Sequence, residues 1–320
     1  MRIVNDLSVI RSEIYSNISD EAKEYINNSK SLNTKRSYSF DWTDFIAYCS
    51  TNNEQALPAS VNTIINYLAD LAKRAKPSTI SRRVTAISQA HQAKGYESPT
   101  YSLAVRAVLS GIRKTKGTRQ QGKAALLTSD IIAMVNTLPN NLKGIRDKAI
   151  LLLGFAGAFR RSEIVALDVE DLTISREGLT VLIRRSKTDQ EGAGREVGIL
   201  YGSHSDTCPV RAYLDWVDVS GINTGKLFQS INKGGRIMGN ALNGKEVARI
   251  VKQAAEHAGL NPEVYSGHSL RAGLATSAAI AGVGEHDIMK QTGHRSVNMV
   301  RRYIRDGSLF RDNVTAHLGL

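Results

Sequence analysis

The chain has 320 residues, long enough for two domains that each bury a core, and its 42 Lys and Arg against 30 Asp and Glu leave a net charge of +12 and an isoelectric point near 9.7. So basic a balance points to a polyanionic partner, and because no basic amphipathic anchor helix stands out, nucleic acid ranks ahead of an anionic membrane surface. Cys49 and Cys208 stand far apart with no C-x-x-C spacing, and the chain has no G-x-x-x-x-G-K-[ST] loop and no magnesium-type carboxylate cluster, so chemistry without metal or nucleotide cofactor is expected.

The start, "MRIVNDLSVI", carries charges inside any apolar stretch and is no secretory signal; a cytoplasmic location follows as an expectation. From residue 6 to about 112 the pattern is helical almost throughout. "SLNTKRSYSFDWTDFIAYC" has a candidate cap at Ser31 or Asn33 and carries Trp42, Phe45, Ile46 and Cys49 on one face. "SVNTIINYLADLAKRA" reads as a second amphipathic helix. "PSTISRRVTAISQAHQA" reads as a third, with Pro77 at its start and Ile80, Val84, Ile87 and His91 in register, which places His91 at the core edge rather than in a ligand set. "SLAVRAVLSGIRK" adds a further helix. Residues 1–112 therefore read as an all-helical domain.

Residues 113–126 form a basic linker with Arg113, Lys114, Lys116, Arg119, Lys123 and no acidic residue. A solvated connection and a segment that tracks a phosphate backbone both fit it. The second domain spans residues 127–320. Its apolar run "AILLLGFAGAF" is too short for a bilayer and reads as a buried helix. "LTVLIRRSKTD" and "GREVGILYG" are β-prone runs joined by the turn-forming "QEGAG", after which helices resume. The fold class expected is mainly α, with a small antiparallel sheet in the second domain.

Three segments put basic residues where a core has little use for them. In "GAFRRSEIVAL", Arg160 follows an apolar helix, so at least one of Arg160 and Arg161 is drawn inward, and Glu163 is placed to orient the Arg160 guanidinium. In "YSGHSLRAG", His268 and Arg271 share one face at a helix start. In "TGHRSVNMVRRYIRD", His294 precedes Tyr303, which sits among Arg301, Arg302 and Arg305. The plainer reading of this last stretch is a core stripe of Met299 with Tyr303 beside Val297, Val300 and Ile304. Together and in this order, however, the residues describe a phosphate site, since guanidinium forks match phosphate oxygens and cations favour the phenolate of a tyrosine.

The order Arg, Lys, His-x-x-Arg, His, Tyr resembles that of the tyrosine recombinases, the phage integrase family, and the helical first part is similar to the core-binding (SAM-like) domain of simple Cre- and Xer-like members. The resemblance implies a site-specific recombinase that cleaves and rejoins DNA through a 3′-phosphotyrosine. It carries Arg160 and Arg271 onto the catalytic arginines, Lys187 in "RRSKTD" onto the lysine of the β-hairpin, His268 onto the acid/base position, His294 onto the second His position, Tyr303 onto the nucleophile and Glu163 onto the buttressing acid. It also implies a homo-tetramer on two double-stranded DNA sites of paired inverted half-sites, accessory proteins being possible, with the two domains clamping the duplex. Thr34, Arg36, Lys76, Thr79, Arg82 and Arg83, on the polar sides of their helices, are candidates for groove and phosphate contacts. The amphipathic tail "DGSLFRDNVTAHLGL" would dock on its own domain or on a neighbouring protomer. A type IB topoisomerase and a binding-only regulator of the same fold are the alternatives.

Overall fold

The computed structural model describes residues 18–118, 122–186, 189, 192–307, 315 and 318. They fall into two compact units, Met1–Gln121 and Gly122–Leu320.

In the first unit every described element is helical: α1 (Asp20–Asn28), α2 (Leu32–Thr51), α3 (Val61–Arg74), α4 (Pro77–Ala93) and α5 (Leu103–Lys116), besides a single 3-10 turn. Serine explains most of the starts. The side chains of Ser19, Ser31, Ser60 and Ser102 each accept a hydrogen bond from a backbone N–H of the first turn they precede, satisfying donors that an uncapped helix leaves open. Ser31 is therefore the cap of α2, and Asn33 lies inside the helix. α4 begins on Pro77, whose missing N–H costs nothing at that position. The expected linker start is helical: α5 runs on to Lys116, with Arg113, Lys114 and Lys116 in its last turn, where cations complement the carbonyl end of the helix dipole.

Trp42, Phe45, Ile64, Tyr67, Leu68, Leu71, Ile80, Ile87 and Val105 make the core of this unit. His91 is fully buried inside it rather than at its edge. Its Nε2 accepts the Ala59 N–H at 2.9 Å and its Nδ1 donates to the Ile87 carbonyl at 2.9 Å, so the ring is neutral and burial lowers its pKa.

Arg83, expected on the polar side of its helix as a DNA contact, is buried instead. Arg83 stands three residues after Ile80 and four before Ile87, which puts it on the buried face of α4 and not on the polar one. Its guanidinium is held by Asp44 and Asp41 and donates to the Tyr67 hydroxyl at 2.9 Å, so it is spent inside the unit. Arg82 is half exposed but grips the buried Asp41 through two hydrogen bonds of 2.7 and 2.9 Å. Arg36 and Lys76 are exposed; Thr34 and Thr79 are half-buried, with Thr34 Oγ1 2.9 Å from Ser31 Oγ.

The second unit is built on α6 (Thr128–Asn136) and α7 (Leu142–Ala156), then the short α8 (Arg161–Ile164). Strands β1 (Leu172–Ile174), β2 (Gly178–Ile183) and β3 (Arg195–Leu200) pair antiparallel in the order β1-β2-β3, with Val181 opposite Val197 and Ile183 opposite Arg195. Helix α9 (Pro209–Ser220) precedes a second, two-stranded ribbon of β4 (Gln229–Ile231) and β5 (Ile237–Ala241). Only the β2 and β3 runs were legible as strands; β1, β4 and β5 are short and lack a sustained alternation. Helices α10 (Gly244–His257), α11 (His268–Ile280), α12 (Glu285–Thr292) and α13 (Val297–Gly307) complete the unit. The fold is thus mostly helical with small antiparallel sheets.

α7 is buried from Ala149 to Leu153, as a helix apolar on all sides requires. α11 packs on it, and the chain at Leu126 crosses α11 at Gly273, where a Cβ would stand 1.8 Å from the Leu126 carbonyl oxygen. Only glycine admits that approach, and it fixes the helix that presents His268 and Arg271.

Candidate active site

At the end of α7 the chain turns sharply. Ala158 takes φ +50°, a left-handed conformation rare for a residue with a side chain. The turn delivers Arg160 as the N-cap of α8, with its side chain largely buried while Arg161 stays exposed. Glu163, almost fully buried, reaches back to accept both the Arg160 N–H at 2.9 Å and the Arg160 Nη1 at 2.6 Å. One carboxylate thus caps the helix and aims the guanidinium.

The carbonyl of the same Ala158 accepts Nη1 of Arg271 at 2.8 Å. Arg271 is 1 % exposed, and its Nε and Nη2 have no hydrogen-bond partner among the described residues. A buried cation with two open donors is costly, so the site is built to receive acceptor oxygens. Burial, and then the neighbouring Arg160, push its pKa down to about 10, which leaves it charged at neutral pH.

His268 opens α11, one helical turn before Arg271, and its ring reaches the far side of the site. Its Nε2 lies 3.0 Å from the hydroxyl of Tyr303 on α13. The ring is open to water on one side yet set in protein on the others; burial, then Arg271 and Arg160, lower its pKa. Val300, fully buried against Ala275, Ala279 and Ile288, seats α13 on α11 and α12. Met299 is 53 % exposed, so the core stripe of Met299 with Tyr303 does not form: Tyr303 is half-buried, with Ile304 beside it. His294, in the turn between α12 and α13, is buried; its Nδ1 lies 2.7 Å from Thr292 Oγ1 and its ring centroid 5.8 Å from that of Tyr303. Burial first, then Arg271 and Arg160, take its pKa down to about 3.

Arg160, Glu163, His268, Arg271, His294 and Tyr303 are therefore brought together from three stretches of chain. Lys187 lies outside the described residues, as do most of the tail and Arg119. Arg184, its neighbour in the hairpin, is tied to Asp168 and, at 2.9 Å, to Asp171. Sequence reasoning missed Arg195, the first residue of β3, whose charge acts on both Arg271 and His294. Its signal was the alternation of β3, in which Arg195 falls on the same face as the buried Val197 and Ile199.

The phage integrase family model matches residues 125–308, more than half of the chain. An integrase/recombinase xerD homolog of Selenomonas ruminantium is 42 % identical over 98 % of the chain and 94 % of that protein. The chain belongs to the phage integrase family. It is a site-specific tyrosine recombinase, an enzyme that breaks and rejoins DNA. The recombinase cre of Escherichia phage P1 is 28 % identical over 81 % of the chain and 80 % of its own length. Among solved structures, the XerH recombinase bound to its palindromic difH substrate matches with a TM-score of 0.68 at 16 % identity over 97 % of the chain and 92 % of that chain, and a lambda integrase dimer bound to a COC′ core site with 0.61 at 14 % over 94 % and 81 %. These two matches speak for the recombinase fold.

The depressed histidine pKa has a thermodynamic consequence in the DNA-free recombinase. His294 titrates near 6.5 in the unfolded chain and about 3 when folded, so below pH ~6.5 the unfolded state takes up a proton that the folded state refuses. Its contribution is intact above the unfolded value and is lost as pH falls, by about 2 kcal/mol at pH ~5. His268 acts in the same direction with a smaller effect, because its open face is screened by water. Urea midpoints should drop from pH 8 to pH 5 in the parent, and drop less in His294→Gln; equal drops in the two proteins would contradict the assignment.

Proposed function

We propose that Tyr303 attacks the scissile phosphodiester, forming a 3′-phosphotyrosine and releasing a 5′-hydroxyl. The observation that carries this is the 3.0 Å contact of its hydroxyl with His268 Nε2, inside a cluster of guanidinium groups. His268, kept neutral by its lowered pKa, offers a lone pair to the phenolic proton as the Tyr303 oxygen bonds to phosphorus. Arg160 and Arg271 bind the nonbridging oxygens, and the two open donors of Arg271 suit that task. His294, buried beside the Tyr303 ring, gives its Nδ1 proton to the Thr292 hydroxyl, which itself donates to the Ile288 carbonyl, and donates from Nε2 to one of the same oxygens as an imidazolium, the form that the phosphate charge favours once DNA is bound. Glu163 keeps Arg160 in place. Lys187 protonates the departing 5′-oxygen, a role that the family order of residues supports. The phosphotyrosine conserves the bond energy, and a 5′-hydroxyl from a second duplex reverses the step.

The duplex is met by the first unit through Thr34, Arg36, Lys76, Thr79 and the exposed part of Arg82. Arg83 is not among these contacts, being spent on Asp41 and Asp44. The DNA site consists of two inverted half-sites, a reading supported by the palindromic DNA in the XerH structure, and four protomers join two such sites. In a mixture of two end-labelled duplexes carrying the site, defined recombinants of predictable length are expected. Relaxation of supercoiled DNA without recombinants would assign the protein to topoisomerase-like action on single duplexes.

A further inference from the structure

β3 places Arg195 on the inward face of the sheet, in line with Val197 and Ile199. A charge there has no packing advantage over leucine, and removing it from water is unfavourable unless its donors are used. One donor is used across the unit: Nη1 bonds the backbone oxygen of Gln291, near the C-terminal end of α12, at 3.2 Å. Gln291 closes the same junction from the other side. Its Nε2 donates to the Gly198 carbonyl of β3 at 3.2 Å and to the Ala156 carbonyl at the end of α7 at 2.9 Å. Between the two lies Gly293, at φ +65°, where a Cβ would stand 2.7 Å from Arg195 Nε and 3.0 Å from its Cζ. The guanidinium thus lies directly on the backbone of the residue before His294. Its Nη2 is buried with no partner among the described residues, and the group sits within electrostatic reach of Arg160 and Arg271.

We propose that Arg195 is a positioning residue of the active centre: by bonding the Gln291 carbonyl and lying against Gly293, it clasps β3 to α12 and fixes the turn that carries His294. The inference rests on the role given to His294 above. Arg195 acts on the reaction through the placement of one imidazole, and a misplacement of the order of 1 Å is enough to slow chemistry severely.

The test is a double-substitution cycle read as single-turnover cleavage of a suicide substrate at saturating DNA, using the full chain. Arg195→Met keeps the aliphatic stem over Gly293 and removes every donor. It should slow covalent adduct formation by ~10- to 100-fold while half-site affinity holds within about threefold. In a His294→Ala background the same substitution should cost less than about threefold, because the residue through which it acts is gone. Arg195→Lys, which can still reach the Gln291 carbonyl, should recover part of the rate in the parent and change nothing in the His294→Ala background. Losses that multiply across the cycle would overturn the proposal and make Arg195 an independent contributor, and an unchanged rate in Arg195→Met would overturn it outright. A His294→Ala enzyme as fast as the parent would instead sink the assignment of His294 itself.

Discussion

Tyr303→Phe will form no covalent adduct with a suicide DNA substrate, while its affinity for a half-site stays within about twofold of the parent, the range expected for a substitution that removes no packing. The change deletes one hydroxyl and leaves the ring in place beside Ile304 and the His294 imidazole. What disappears is the 3.0 Å contact with His268 Nε2 and the oxygen that bonds to phosphorus. Denaturing electrophoresis of the cleavage reaction measures this directly. A DNA-linked band in the Phe variant, mapped to any other residue, would move the nucleophile elsewhere.

Replacing Arg271 by Met should separate stability from activity. Cleavage is expected to fall by at least ~1000-fold, because oxyanion-type stabilisation by a preorganised, desolvated donor is worth roughly 3 to 4 kcal/mol and Arg271 brings two such donors. The DNA-free protein, in contrast, should melt no lower than the parent. Arg271 is buried with Nε and Nη2 unpaired and stands near Arg160 and Arg195, so its charge is a burden until an anion arrives. Met fills comparable space without the charge, and the loss of the bond to the Ala158 carbonyl offsets only part of the relief. Thermal melts with and without a half-site oligonucleotide make the comparison: stabilisation by DNA should shrink in the variant. A large drop in the melting temperature without DNA would show that Arg271 holds the fold together, and the phosphate role would lose its support.

Both expectations concern residues that local sequence rules had already singled out. The serines that cap α1, α2, α3 and α5, the proline that opens α4, and the three-residue spacings of Arg160 with Glu163 and of His268 with Arg271 act within one turn of backbone. Such effects are written into neighbouring residues, and the sequence by itself determined them, along with the buried α7 and the β2 and β3 strands. The family order of residues named the site before any geometry was known. Even so, that Glu163 would cap α8 and hold Arg160 at once depended on the turn at Ala158.

What only the tertiary structure decided is where charges separated by long stretches of chain find their partners. Arg82 and its neighbour Arg83 look alike in "SRRVT", yet Arg82 reaches from the surface to the buried Asp41 and Arg83 is enclosed by Asp41, Asp44 and Tyr67, which arrive from α2 and α3. Arg195 looked like the start of a strand and became a clasp because α12 ends beside it with Gly293, whose missing Cβ leaves room for the guanidinium against the chain. His294 was legible as a member of the site but not as a neutral one, since its pKa is set by burial and by arginines from α8's cap and α11. Periodicity reports which side chains share a face. The energy of a charge depends on what the opposite face brings to it, and that is settled only when the elements pack.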